Sequence, residues 1–267
     1  MLILWYGQLF REIFMVYVYE THLHTRDTSK CGKTYARDYI DFMIGRGYAG
    51  MIVTDHFFKN NTRIDESLEW KTKIDLFAKG YEEALQAAEG KDFTVMFGLE
   101  FKFESDEYLI YGISPQWLKE HEEIMDISRS EVYRLVHEAG AIMVQAHPYR
   151  ERKYVHKITL CPSIADGIEI FNAGNERYMD ALAAEYAKTL NVPLSAGSDI
   201  HYLNDRPMGG IAFDRPLHTI DEFVKAFLNH EGIPVVMDGD KLIPTDQIAE
   251  IHTVTRMPST PVVYAAD

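Results

Sequence analysis

The stretch Tyr19–Asp27, YETHLHTRD, sets two histidines one residue apart directly after a Val- and Tyr-rich run. In an extended strand, residues i and i+2 point to the same side. A strand over Val16–Glu20 would therefore present His22 and His24 together at its end. An HxH pair is weak evidence by itself, and its weight depends on how the other strands end.

They end alike. Gly50–Thr54 runs into Asp55-His56, Thr94–Leu99 into Glu100, Ala141–Ala146 into His147-Pro148, and Pro193–Ser198 into Asp199-Ile200-His201. Helical spacing fills the gaps, over Thr34–Arg46, Leu68–Ala88, Asn175–Leu190 and Asp221–Asn229. Ser128-Arg-Ser-Glu131 is a capping box opening a further helix that stops at Gly140. This alternation predicts a mostly parallel sheet with crossover helices, an α/β class. In a parallel barrel the C-terminal strand ends share one face, where such folds build active sites.

His22, His24, His56, Glu100, His147, Asp199 and His201 would all converge on that rim. Singly, each has a plainer reading: a hydrogen-bonded core histidine, a helix cap, or a buried acid paired with an arginine. Five coincident strand ends would need five separate partners, because unpaired buried charge is costly. A metal site explains them together. Imidazole and carboxylate suit Zn, Mn or Fe. More than four ligands allow two divalent ions, with Glu100 as a bridge.

The chain has 267 residues, 46% hydrophobic and 25% charged, which fits one domain with a large core. The expected division is an extension over residues 1–15, with Met15 as the natural start, a barrel domain over 16–245 and a tail over 246–267. Acidic residues outnumber basic ones, 41 to 27, for a net charge of -14. That disfavours long nucleic acids, whose binding rests on phosphate neutralisation. The two cysteines, Cys31 and Cys161, form no CxxC pair and fit a reducing cytoplasm. There is no apolar run long enough for a membrane span and no signal-peptide pattern. Cys31 lies near the site loop, as a ligand or, more simply, a packed thiol.

THLHT (Thr21–Thr25), VTDH (Val53–His56), GLE (Gly98–Glu100), AHPY (Ala146–Tyr149) and SDIH (Ser198–His201) together resemble the PHP family, named for polymerase and histidinol phosphatase. They stand in the family's order and cover about residues 16–205. The resemblance implies a distorted (β/α)7 barrel with one to three metal ions that hydrolyses phosphoesters, histidinol phosphate being one family substrate. It implies His22, His24, Glu100 and Asp199 as ligands of a first metal, and His56 and His147 of a second. His201, with bridging Glu100, would serve a third. The sequence departs from the pattern twice. A His or Asp expected after the HxH pair is replaced by RDTSKC, where Asp27 is the candidate. A histidine expected after the glutamate falls near Tyr108 in DEYLIYG. One or two ions are then expected, with a third open.

The implied reaction is hydrolysis of a small phosphomonoester by a metal-bound water attacking phosphorus in line. No GxSxG, phosphate-cradling glycine loop or CxxxxxR is present. Arg150 is the first candidate to clamp the phosphate and Arg206, in NDRPMGG, the second; each could instead pair with a structural carboxylate. The same rim would serve a phosphodiesterase or nuclease acting on short nucleotides, or a non-catalytic metal-binding barrel. An amidohydrolase-type site usually adds a carboxylated lysine at a strand end, and none stands there.

Overall fold

A computed structural model describes residues 16–59 and 61–265. The expected extension over residues 1–15 lies outside them. The elements, in chain order, are β1 (Tyr17–Glu20), α1 (Tyr39–Gly45), β2 (Gly50–Val53), α2 (Trp70–Ala88), β3 (Thr94–Lys102), β4 (Glu107–Tyr111), α3 (Pro115–Glu120), α4 (Arg129–Glu138), β5 (Ile142–Ala146), β6 (Ile158–Leu160), β7 (Gly167–Asn172), α5 (Arg177–Lys188), β8 (Leu194–Gly197), β9 (Met208–Phe213), α6 (Ile220–Leu228), β10 (Ile233–Asp238), β11 (Lys241–Pro244) and β12 (Val262–Tyr264).

One mixed sheet has the order β11-β10-β9-β1-β2-β3-β4-β5-β7-β8. The pairs β1–β2, β2–β3, β5–β7 and β7–β8 are parallel. The pairs β3–β4, β4–β5, β1–β9, β9–β10 and β10–β11 are antiparallel. The mostly parallel sheet expected from the alternation is therefore corrected to a mixed one. Residues 103–106 are too few for a parallel crossover, so β4 must fold straight back on β3. The sheet curls strongly, as in part of a barrel. Past β1, Leu23 bridges Ile200 in parallel, and the His24 N–H donates to the Ile200 carbonyl at 2.9 Å. The chain beyond β1 is thus joined to the chain beyond β8.

The helices form for local reasons. Ser128 and Glu131 make the expected capping box at the start of α4. Glu69 caps α2 by accepting from the Thr72 N–H. Tyr19, Ile52, Met96, Leu109, Val144 and Ile211, from neighbouring strands, form a buried cluster closed by Phe223 and Phe227 of α6. Within the expected tail over 246–267, β12 pairs in parallel with β6. No helix among the described residues is long and apolar enough to cross a membrane.

Where β8 and β9 meet, Gly209 leaves no room for a side chain. A Cβ there would lie 2.4 Å from the Gly197 carbonyl oxygen, which is backbone and cannot swing away. Gly209→Ala should cost about 1–3 kcal/mol. Gly45, at the end of α1, has nothing within 4 Å of a built Cβ. Gly45→Ala should instead stabilise by up to ~1 kcal/mol. Thermal unfolding of the two variants checks both signs.

Candidate metal centre

All seven ligand candidates meet in one place. His22 and His24 follow β1, His56 follows β2, His147 follows β5, and Asp199 and His201 follow β8. Glu100 lies within β3. Its carboxylate is 1% exposed and is shared on both sides. Oε1 lies 3.3 Å from His22 Nε2 and 3.0 Å from His147 Nε2. Oε2 lies 2.5 Å from His56 Nδ1 and 3.6 Å from His24 Nε2. Asp199 Oδ1 lies 3.0 Å from His24 Nε2 and 3.6 Å from His22 Nε2. One donor atom from each residue falls within 4.8 Å of the others in four overlapping sets. These are His22–His24–Asp199, His22–Glu100–His147, His24–His56–His201 and His56–Glu100–Glu107.

Hydrogen bonding shows that this donor set suits cations. His22 Nδ1 lies 2.9 Å from Glu169 Oε1, an acceptor, so it carries the proton and a neutral ring leaves Nε2 a lone pair. That lone pair faces carboxylate oxygens of Glu100 and Asp199 and sits 3.2 Å from His24 Nε2. A proton on His24 Nε2 could serve only one of these neighbours, whereas a cation between them could serve several. His24 Nδ1 is, in addition, buried without a hydrogen-bond partner. His201 Nδ1 donates to the Asp199 carbonyl at 2.7 Å, which leaves its Nε2 as the ligand atom.

The acidities show the same tension. Burial alone would lower the His22 imidazole, but Glu169, Asp199 and Glu100 outweigh it and hold it well above its usual range. Burial, then the charge of His56, pushes His24 down to about 3. Burial would raise Glu100, yet His56, His147 and His22 hold it well below the usual carboxylate range. Without a cation, the carboxylates can be matched only by protonating some rings and not others.

Three buried carboxylates brace the ligand segments, and none was singled out from the sequence. Glu169 accepts from the His147 N–H at 2.8 Å and from Asn172 Nδ2 at 3.0 Å, besides holding His22. Glu20 accepts from the His22 N–H at 2.8 Å and from the Ser198 N–H and hydroxyl. Asp55 accepts from the Thr25 N–H at 2.7 Å and hydroxyl at 2.6 Å. The available signal was an acid inside an apolar run, as in GIEIF and VYVYE. His147 and Asp199 also sit at φ 30° and 49°, rare for residues with a Cβ.

The other candidates fare differently. Asp27 is not in the centre; its Oδ2 accepts from the Ala36 N–H at 2.8 Å and it packs against α2 at Gly80. Arg150 is at the centre but committed. Its three guanidinium nitrogens bond Asp199 at 2.6 Å, Asn172 at 2.6 Å and Asn175 at 2.9 Å. Arg206 lines the same cavity, of about 590 Å³, together with Lys102, Arg152, Tyr154 and Cys31. Tyr108 is fully buried in the core. The residue of β4 that reaches the centre is Glu107, one position earlier, with Oε2 3.6 Å from His147 Nε2. Strand alternation sends Glu107 and Tyr108 to opposite faces.

No family model matches the sequence, and neither does any curated protein. Among solved structures, the chain is similar to a two-domain protein of Bacteroides vulgatus containing a predicted PHP-like metal-dependent phosphoesterase. The TM-score is 0.63 at 14% identity, over 89% of this chain and 69% of that one. It also resembles a proposed metal-dependent phosphoesterase of Bifidobacterium adolescentis, with a TM-score of 0.48 at 16% identity, over 87% and 94% of the two chains. An amidohydrolase of Chromobacterium violaceum with bound sulfate and no metal gives 0.48 at 14% identity, over 78% and 96%. The first of these carries the likeness of fold.

Because Glu169 orients His22 and the His147 backbone at once, Glu169→Gln should weaken metal binding by ~10–100-fold with the fold intact. Competition against a chelator, alongside circular dichroism, measures this. Asp27→Ala, by contrast, should leave metal content unchanged.

Proposed function

We propose that this chain, whose fold is similar to that of a protein containing a predicted PHP-like phosphoesterase, is a metal-dependent hydrolase of small phosphomonoesters. The observation that carries the reading is the Glu100 carboxylate, held between two pairs of imidazoles at the floor of the cavity. His22, His24, Asp199 and Glu100 would hold one ion, and His56, His147 and His201 would complete further coordination around Glu100. Divalent ions bound there would supply Lewis acidity toward a phosphoryl oxygen and lower the pKa of a coordinated water toward neutrality.

The chain's own residues divide the remaining work. Arg150 holds Asp199 in place and is a positioning residue rather than the phosphate clamp expected from the sequence. Arg206 keeps the substrate-binding role, since its guanidinium makes no ion pair among the described residues. Arg152 lines the same cavity, and its guanidinium donates to the carbonyls of Glu151 and Gly174 rather than to a carboxylate. These two side chains would draw the phosphate toward the ligand cluster and offset its charge. Glu169 keeps the His22 Nδ1 proton in place, so that Nε2 remains a ligand. Asp27 has no part in the reaction.

The test is elemental analysis of protein purified without chelators, with a screen of phosphomonoesters, dinucleotides and short oligonucleotides. Bound metal and turnover of a generic monoester such as p-nitrophenyl phosphate are expected. The double variant His22→Ala/His24→Ala should be folded and reduced to background. Wild-type turnover in that variant would overturn the reading. Cleavage confined to oligonucleotides would move it to the diesterase, and bound metal without any hydrolysis would move it to a binding module.

A further inference from the structure

Arg150, Arg152 and Tyr154 line the cavity from the irregular stretch between β5 and β6. Glu151, between the two arginines, turns its side chain to the C-terminal segment instead. Its Oε1 accepts from the Ser259 N–H at 2.9 Å, the Ser259 hydroxyl at 2.6 Å and the Thr260 N–H at 2.7 Å. Its Oε2 accepts from the Tyr178 hydroxyl at 2.5 Å, at the start of α5. Arg256 closes the group: it donates to the Tyr178 oxygen at 2.6 Å, lies 3.8 Å over the Tyr178 ring, and reaches Glu151 Oε2 at 3.5 Å. The Glu151 side chain is 10% exposed as a result.

The same segment holds the far end of the wall. The Ile158 N–H donates to the Pro261 carbonyl at 2.8 Å. β12 then pairs with β6, Val262 opposite Ile158, and the Ala265 N–H donates to the Leu160 carbonyl at 2.9 Å. The wall is thus fastened at residues 151 and 158, with Arg152 and Tyr154 between the two points. Arg152 departs from the first of them. Its guanidinium donates to the Glu151 carbonyl at 2.9 Å and to the Gly174 carbonyl at 2.7 Å. A segment that only covered β6 would have the β12 ladder for that. The five contacts on one buried carboxylate fix something else, the backbone from which a cavity-lining cation projects.

We propose that residues 256–264 are a strap on the cavity wall, and that Glu151 is a positioning residue through which the strap sets Arg152 toward the substrate phosphate. The inference rests on the phosphoesterase reading above, in which Arg152 helps to draw in the phosphate. Glu151 bonds neither a candidate metal ligand nor the phosphate site. It acts through Arg152, whose value to an anion depends on the direction of its donors. Loosening the strap should therefore weaken phosphate binding without reaching the ligand cluster.

The experiment uses the full chain loaded with metal. Glu151→Ala is compared with Arg256→Ala/Ser259→Ala, which loosens the same contact from the other side. Each should raise KM for p-nitrophenyl phosphate, and the dissociation constant of inorganic phosphate read by calorimetry, by about tenfold. Turnover number should stay within about twofold and metal content should not change. Glu151→Gln, which keeps one acceptor oxygen, should fall between wild type and Glu151→Ala. The double variant leaves Glu151 in place, so a misfolded Glu151→Ala does not blunt the test. Unchanged phosphate affinity in the folded variants overturns the positioning role, as does a fall in turnover or metal content with KM unmoved; either leaves the proposed function standing. A wild type that binds phosphate yet turns over no monoester overturns the proposed function, and weaker phosphate binding in the variants then still supports the strap. A wild type that binds no phosphate overturns both.

Discussion

The Glu100 carboxylate is the constraint around which the rest is arranged. Each of its oxygens faces two imidazole nitrogens, and almost none of it reaches solvent. An ionised carboxylate so placed is tolerable only if positive charge surrounds it. β3 supplies it from within a strand, so both neighbouring strands must deliver partners at the same height. β2 does so through the parallel bridge between His56 and Glu100. β4 and β5 do so by folding back, which brings Glu107 and His147 to the same end. The join between Leu23 and Ile200 then adds His22, His24, Asp199 and His201. The curl of the sheet and the convergence of ligands are thus one geometric fact.

Precision at the centre comes from a ring of acids that are not themselves ligands. Glu20, Asp55 and Glu169 are buried and take backbone N–H and hydroxyl donors from the segments that carry the histidines. Burial pushes Glu20 up to about 7 and Asp55 up to about 6, despite those donors. Glu169 differs because His22 lies against it: burial would raise it, but the imidazole holds it below the usual range. The acid that must stay charged to orient a ring is the one given an adjacent ring. The two that mainly fasten backbone do so by hydrogen bonds, which survive partial protonation.

Much of the site was legible because ligands at strand ends leave a mark in the primary structure. An apolar run followed by His, Asp or Glu is visible without coordinates, and the seven candidates chosen on that mark converge. What was not legible depends on direction rather than composition. Glu107 and Tyr108 are neighbours, and only the phase of β4 decides which one reaches the centre. Asp27 and Cys31 share a loop, and only its path decides that Cys31 lines the cavity while Asp27 turns to the Ala36 N–H. Arg150 is at the right place with all three guanidinium nitrogens already bonded to protein groups, which no spacing could reveal. The antiparallel turns at β4 and β9–β11 escaped for a similar reason: alternating strands and helices suggest parallel pairing, and only the short loop after β3 argues against it. β12 is too short and too polar in context to announce a strand.

Charge distribution bears on what the cavity can admit. The chain is acidic overall, at -14, yet the cavity wall carries Arg152 and Arg206. At physiological ionic strength, fields between exposed charges fade over roughly 8 Å. A phosphate inside the cavity would therefore feel mainly these guanidinium groups and any bound cations. A long polyanion would extend past them onto the acidic exterior and lose by repulsion there what it gained inside. Lys102 adds less than its charge suggests, because Glu107 lies 3.2 Å from its ammonium. The Arg150 charge is offset by Asp199, 2.6 Å from its guanidinium. The positive charge left for an incoming ligand is small, local and close to the candidate metal ligands, and the proposal of a compact phosphorylated substrate rather than a polymer rests on it.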